Sequence, residues 1–426
     1  MAAAGAGVGD NEEEGAMHRI RWGFGLFIVG PLCLAGAGDA AEPVRIGLIT
    51  SLTGPAAQLG RDVQNGFMMY IEEVGSQVAG RPIRIITEDD EGTPTGALTK
   101  ARRLVEQEKV HVLAGTILGS MCPALAPYVT QQKVPYFPLC AGDDVTQRKP
   151  TPYLIRVTFA SSQPMHPFGE YAAKTLGYKR VATLAMDYAF GWENVGGFQK
   201  TFEEAGGKVI QKLWAPLTTQ DFAPYISQIK RDADAVFVMV FGGFALRFAK
   251  QYQEFGLKGK IPLLGAGAFA DETVLPSMGD EILGAVTPLH YTAALATPEN
   301  ERFARAVKAK YGRVASMYSE NLYTMARWIV EGIKAVNGNV EDTPALLAAF
   351  RRHKIPDSPR GPVALDDLGN AVQNIYVRRV ERVGGELVAR VIHTYPNVSQ
   401  FWKYPKDEFL KQPVYSRDYP PCRFCE

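Results

Sequence analysis

VRIGLITSL, residues 44–52, runs into a turn at Thr53, Gly54 and Pro55, and then into a stretch, 60–74, in which Val63, Phe67, Tyr70, Ile71 and Val74 recur at helical spacing. Strand, turn, amphipathic helix is one beat of a rhythm that continues. Residues 83–87 read as a second strand, and 95–108 as a helix with Leu98, Ala101, Leu104 and Val105 on one face. Residues 110–115 read as a third strand, and 122–132 as a short helix with Pro123 in its first turn, where a missing N–H costs nothing. Residues 134–139 make a fourth strand. Strands alternating with helices predict a parallel sheet covered on both faces.

The rhythm then restarts. Helices are expected at 162–176, 192–204, 222–231 and 243–255, and strands at 180–186, 208–214, 235–241 and 261–264. The run AVFVMVF at 235–241 is apolar without alternation, as a strand buried on both faces must be. After Gly284 come a strand and three helices, at 298–311, 318–336 and 343–352. Residues 374–382 and 386–393, separated by Val383, Gly384 and Gly385, read as an antiparallel hairpin. The pattern predicts two doubly wound α/β lobes. The tail, 395–426, rich in Pro and aromatic residues, is expected to wrap the surface.

Composition agrees with a globular chain. Of 426 residues, 46% are apolar and 21% charged, and 46 Lys and Arg balance 45 Asp and Glu for a net charge of +1. That balance argues against a nucleic-acid footprint. Beyond residue 41 no apolar run approaches the ~20 residues that span a bilayer. Before it, Met17 opens a tripartite pattern: basic His18, Arg19 and Arg21, an apolar run at 22–34, and small residues at 35–40. This is the plan of a secretory signal, with cleavage expected near Ala40 and Met17 as the expected start. Removing residues 1–40 leaves a net charge of +4. In an oxidising compartment Cys122 with Cys140, and Cys422 with Cys425, are candidate disulfides, and buried free thiols are the alternative for the first pair.

Enzyme signatures are weak. Residues 265–270, GAGAFA, fit G-x-G-x-x-A, but they close the second lobe instead of opening the first β-α unit. There is no P-loop, no H-E-x-x-H and no nucleophile elbow. Six scattered histidines make no metal set. Asp89, Asp90 and Glu91 read as a solvated capping loop. No cofactor is expected. What recurs instead is a Gly-, Ser- or Thr-rich turn at the end of almost every strand. Ligands of open α/β sheets bind there, and helix N-termini there favour anions.

In combination these segments resemble the periplasmic substrate-binding proteins of branched-chain-amino-acid-type ABC transporters, with the type I periplasmic fold. The first strand at 44–49 with 52–57, the loop 115–120, Val134 to Pro138, Pro152 to Arg156, the turn 187–191 and Gly361, Pro362, Val363 and Asp366 carry the likeness. The resemblance covers roughly residues 44–395. It implies crossover strands near Ala160, Thr287 and Asn370, so that residues 44–160 with 288–370 form lobe 1 and 161–287 with 371–394 form lobe 2, with hinge closure over a ligand and delivery to membrane permease subunits by a monomer. It implies that Leu118, Gly119 and Ser120, with Cys140, Ala141, Gly142 and Asp143, hold a ligand carboxylate. It places Tyr188, Phe190 and Trp192, and Gly242, Gly243 and Phe244, on the second lobe's side. Amino-acid binders of the family carry an acid in the turn after the last lobe-two strand. Here Gly267 occupies that position, with Phe269 beside it, and Asp271 lies a few residues on. An unpaired buried ammonium costs several kcal/mol. The expected ligand is therefore an aromatic or other apolar carboxylate, with Tyr291 a further aromatic of the region and Phe241 expected in the lobe core. A branched-chain amino acid, or a sensing role for a signalling partner, is the alternative. An exported hydrolase would need a nucleophile and base that the sequence does not show.

Overall fold

The computed structural model describes residues 41–54 and 56–425. The signal segment and cleavage site expected within 1–40 lie outside them. Among the described residues no helix is long and apolar enough to cross a membrane.

β1 (Val44–Thr50) is central to a five-stranded sheet of order β2-β3-β1-β4-β5, with β2 (Gln77–Val78), β3 (Arg81–Asp89), β4 (Val112–Gly115) and β5 (Tyr136–Pro138). The pairings β1–β3, β1–β4 and β4–β5 are parallel, and β2 adds an antiparallel edge. The connecting helices are α1 (Ala57–Glu73), α2 (Pro94–Arg102) and α3 (Met121–Gln132). The helix expected at 95–108 is α2 followed by a π-helical turn, Arg103–Gln107.

The second sheet has nine strands. Its parallel part joins β6 (Arg180–Met186), β7 (Lys208–Ala215), β8 (Ala235–Met239) and β9 (Leu263–Gly265), with α4 (Met165–Lys174), α5 (Ala189–Glu204), α6 (Ala223–Ile226) and α7 (Gly242–Glu254) between and before them. The helix expected at 222–231 is the single turn α6. β10 (Val286–Leu289) continues the sheet in parallel with β9. Helices α8 (Pro298–Tyr311), α9 (Met317–Ala335) and α10 (Thr343–Arg352) return to the first sheet's core. Then β11 (Ile355–Ser358), β12 (Gly361–Leu365), β13 (Ala371–Val383) and β14 (Glu386–Val398) add an antiparallel flank, and α11 (Lys406–Leu410) lies in the tail. The sheet is therefore mixed. β13 and β14 meet in the register Val383↔Glu386, so the hairpin loop is Gly384 and Gly385, both at positive φ as a primed two-residue turn demands.

Two cores result. One packs α4, α5 and α7 against β6 and β8; the other packs α1, α9 and α10 around β1 and β4. β13 belongs to both: Ala371 and Tyr376 face the core of α9, whereas Val377 and Val380 face the core of α5. Three crossings lie side by side. Arg156 pairs with Asn370 in a parallel bridge, β10 pairs with β13, and Gln163 Nε2 donates to the carbonyls of Ala371 and Val398. The tail fastens to both lobes. Lys406 pairs with Asp367 on the first, and Tyr415 Oη meets His166 Nε2 of α4 at 3.0 Å on the second.

Candidate functional site

The turns after the parallel strands converge between the lobes. After β4, Gly115 and Thr116 both take left-handed φ values. A Cβ on Gly115 would lie 2.1 Å from the Ile49 carbonyl, so only glycine fits. This kink sends Ile117, Leu118 and Gly119 towards the gap. After β5, Cys140 is joined to Cys122 at the start of α3, with Cα atoms 6.1 Å apart. The bond fastens the turn 140–142 beside the turn 118–120. Arg156 Nη1 donates to the Gly142 carbonyl at 2.5 Å, and its Nε to Asn370 Oδ1 at 2.6 Å, which fixes the turn to the hinge. In the facing lobe Gly191 lets α5 start against β6, because a Cβ there would lie 1.9 Å from the Met186 carbonyl. That close start presents Tyr188 and Phe190.

A cavity of about 60 Å³ lies between the turns. The first lobe supplies Leu59, Ile117, Leu118, Gly119, Leu139 and Ala141. Phe159 comes from the first crossing, and Met317 and Tyr318 from the start of α9. The second lobe supplies Tyr188, Phe190, Phe241 and Ala268. The rings form a continuous wall: Tyr188 lies 6.2 Å from Phe190 and 6.3 Å from Phe241, and Phe244 backs Phe241 edge-on at 5.6 Å. Such tilted and edge-on contacts suit a ring as guest.

Tyrosine is the one ionisable side chain in this lining. Burial pushes the Tyr188 and Tyr318 phenols well above their usual range, and nearby Asp271 adds to the effect at Tyr318, so both stay neutral donors. Among the described residues the N–H groups of Leu118, Gly119 and Ala141 have no acceptor. They stand beside the N-terminus of α3. Backbone donors and a helix start favour a negative group.

Of the residues singled out from sequence, Leu118, Gly119, Ala141, Tyr188 and Phe190 share this cavity. Ser120 does not; it is exposed at the helix start. Cys140 lies beneath, in its disulfide, and Gly142 is turned to Arg156. Asp143 is buried behind the turn, where its N–H donates to Glu193 Oε1 at 3.1 Å and its Oδ1 accepts from the Ser162 N–H at 3.1 Å. Burial raises both carboxyls, and the Asp143 charge raises that of Glu193 further. Trp192 donates from Nε1 to Asp187 Oδ1 at 2.9 Å, away from the cavity. Gly242 and Gly243 begin α7, and Phe244 supports the wall from behind. Phe269 and Tyr291 are core. Phe241 is corrected from core to cavity wall, because the strand β8 ends at Met239 and the chain turns outward before α7. Cys422 and Cys425 are paired in the tail, with Cα atoms 5.4 Å apart.

Gly267 has no room for an acid. A Cβ there would lie 2.4 Å from Leu289 Cδ1 and 2.8 Å from the Pro288 carbonyl. Asp271 is engaged elsewhere, accepting from the N–H groups of Thr273 and Met317. Leu59, Ile117, Leu139, Phe159, Ala268, Met317 and Tyr318 were not singled out. The signal for the last two was Ser316, which caps α9 reciprocally with Ser319 and so marks its start at Met317, one residue earlier than the apolar period does.

Two lobes, side-by-side crossings and a cavity between strand-end turns define a hinged solute receptor. The chain belongs to the periplasmic binding protein family, whose model matches residues 43–386. It is 31% identical over 357 residues to Leu/Ile/Val-binding protein homolog 6 of Brucella melitensis biotype 1, covering 82% of this chain and 90% of that one. It is similar to the solute binding protein of an ABC transporter from Rhodopseudomonas palustris BisB5 in complex with 3,4-dihydroxybenzoic acid: TM-score 0.80, 35% identity, 84% of this chain and 98% of that chain. A solute binding protein from Rhodopseudomonas palustris HaA2 in complex with p-hydroxybenzoic acid gives TM-score 0.79 and 33% identity, over 87% of this chain and all of that one. This chain is thus an ABC transporter solute-binding protein of the type I fold, a receptor and not an enzyme. Membership of the family implies an extracytoplasmic location.

Proposed function

We propose that the protein binds a small aromatic carboxylate between its lobes and delivers it to the permease subunits of an ABC importer. The observation that carries this reading is the lining: five rings, free N–H groups at one end, and no carboxylate to meet an ammonium. The backbone donors of Leu118, Gly119 and Ala141 receive the carboxylate, Tyr188 and Tyr318 offer hydroxyls from opposite lobes, and Phe159, Phe190 and Phe241 enclose the ring. Contacts from both lobes are what a ligand needs to favour closure, since only differential binding shifts a conformational equilibrium. The protein acts as a monomer, exported by the signal at 17–40. The relatives' aromatic-acid ligands support the same class.

Titration calorimetry on ligand-stripped protein lacking residues 1–40 tests the proposal. Benzoate, 4-hydroxybenzoate or 3,4-dihydroxybenzoate is expected to bind with micromolar or tighter affinity, and leucine not to bind. Leucine binding without any aromatic acid would overturn it.

A further inference from the structure

Residues 266–271 leave the nine-stranded sheet and reach across to the other lobe. Ala266, Phe269 and Ala270 remain in the core of α5 and α7, but Ala268 packs with Met317 and Tyr318 in the core of α9. Asp271 follows, only 1% exposed. Its two carboxylate oxygens do different things. Oδ1 accepts from the Thr273 N–H at 2.9 Å, inside its own turn. Oδ2 accepts from the Met317 N–H at 3.3 Å, on the first residue of α9. That helix already has its own cap, because Ser316 and Ser319 bond reciprocally. The bond from Asp271 is therefore an addition, made from the lobe of Tyr188 and Phe190 to the helix start that forms the facing wall. A carboxylate at a helix N-terminus is also favoured by the helix dipole. Asp62 of α1 faces Asp271 as well, and Arg313 takes up its charge at 2.9 Å.

We propose that Asp271 is a positioning residue for closure: it holds the Met317–Tyr318 wall against the Tyr188–Phe190 wall without touching the ligand. The inference rests on the site assigned above, but not on the chemical class of its ligand. A purely local role, holding the turn at 271–275 through Thr273, Val274 and Leu275, is the competing account.

Asp271→Asn separates the two. Asparagine keeps Oδ1 for the Thr273 N–H but turns a donor amide towards the Met317 N–H, so the bond across the lobes is lost while the bond inside the turn is kept. The experiment measures 4-hydroxybenzoate affinity, thermal unfolding without ligand, and the radius of gyration by small-angle scattering with and without ligand. The expected result is an affinity at least tenfold weaker, ligand-free unfolding unchanged, and a compaction that needs correspondingly more ligand. Affinity within twofold of wild type would overturn the proposal. So would a weaker affinity accompanied by an equally marked loss of ligand-free stability, which is the signature of the local role. If 4-hydroxybenzoate fails to bind the wild-type protein, the aromatic-acid reading falls, and the same comparison made with leucine decides the role of Asp271.

Discussion

Phe190 and Phe241 reach the cavity from different elements, the first turn of α5 and the segment between β8 and α7, and Tyr188 stands between them. A ring enclosed on two sides loses contact area when either is cut back. Phe190→Ala and Phe241→Ala should each weaken aromatic-acid binding by ~2 kcal/mol or more, measured by calorimetry. A second residue-scale prediction concerns His166. Burial, with Lys200 nearby, pushes its imidazole down to about 3, so the folded protein holds it neutral while the unfolded chain protonates near 6.5. A base depressed in the folded state loses stability as pH falls below its unfolded value. Between pH 7 and pH 5 this group should remove ~2 kcal/mol. The wild type should therefore lose stability relative to His166→Phe over that interval in denaturant titrations. Tyr415 of the tail, bonded to His166, should leave its site first.

At the scale of elements, α1 and α9 meet in a close helix–helix joint. A Cβ on Gly66 would lie 2.0 Å from the Ser319 carbonyl, which is backbone and cannot step aside. Gly66→Ala should cost ~2 kcal/mol or more by overpacking. Because Ser319 belongs to the capped first turn of α9, the same change should also displace Met317 and Tyr318 and weaken ligand binding. The strands β1, β6 and β8 were legible because burial on both faces leaves near-continuous apolar runs. The strands β11 and β12 were not, since Ile355–Ser358 buries only its ends and contains a proline. The site divides the same way. Tyr188, Phe190 and the turns after β4 and β5 follow a local rule, that ligands meet strand ends. Phe159 enters through pairings between distant segments, which no local pattern encodes, and Ser316 marks the helix start at Met317 and Tyr318 without revealing which cavity it faces. Leu59, at the start of α1, looks in sequence like any apolar helix residue.

At the scale of the whole molecule, the pair Cys122–Cys140 closes a loop of 18 residues and clamps two ligand-facing turns together. Replacing both by serine should lower stability by ~3 kcal/mol in the chain-entropy model, read from chemical denaturation. Affinity should fall further than stability alone explains, because Ala141 and Gly119 would lose their shared support. The net charge, +1 for the whole chain and +4 without residues 1–40, gives only a weak long-range field to gather anions, so ligand selection rests on the fixed dipoles and rings of the cavity.

The passage of β13 from one core to the other, between Tyr376 and Val377, has a bearing on how the chain is made. Neither lobe is a contiguous piece of sequence. The first core waits for Tyr376 although its central strand begins at Val44, and the second waits for Ala389. A growing chain therefore cannot finish either half until nearly all of it has been synthesised, and contacts this distant in sequence form slowly. A protein that must be threaded through a membrane before it folds gains from that delay, since it stays unfolded during passage. Neither half can then complete long before the other, because both wait for the same strand.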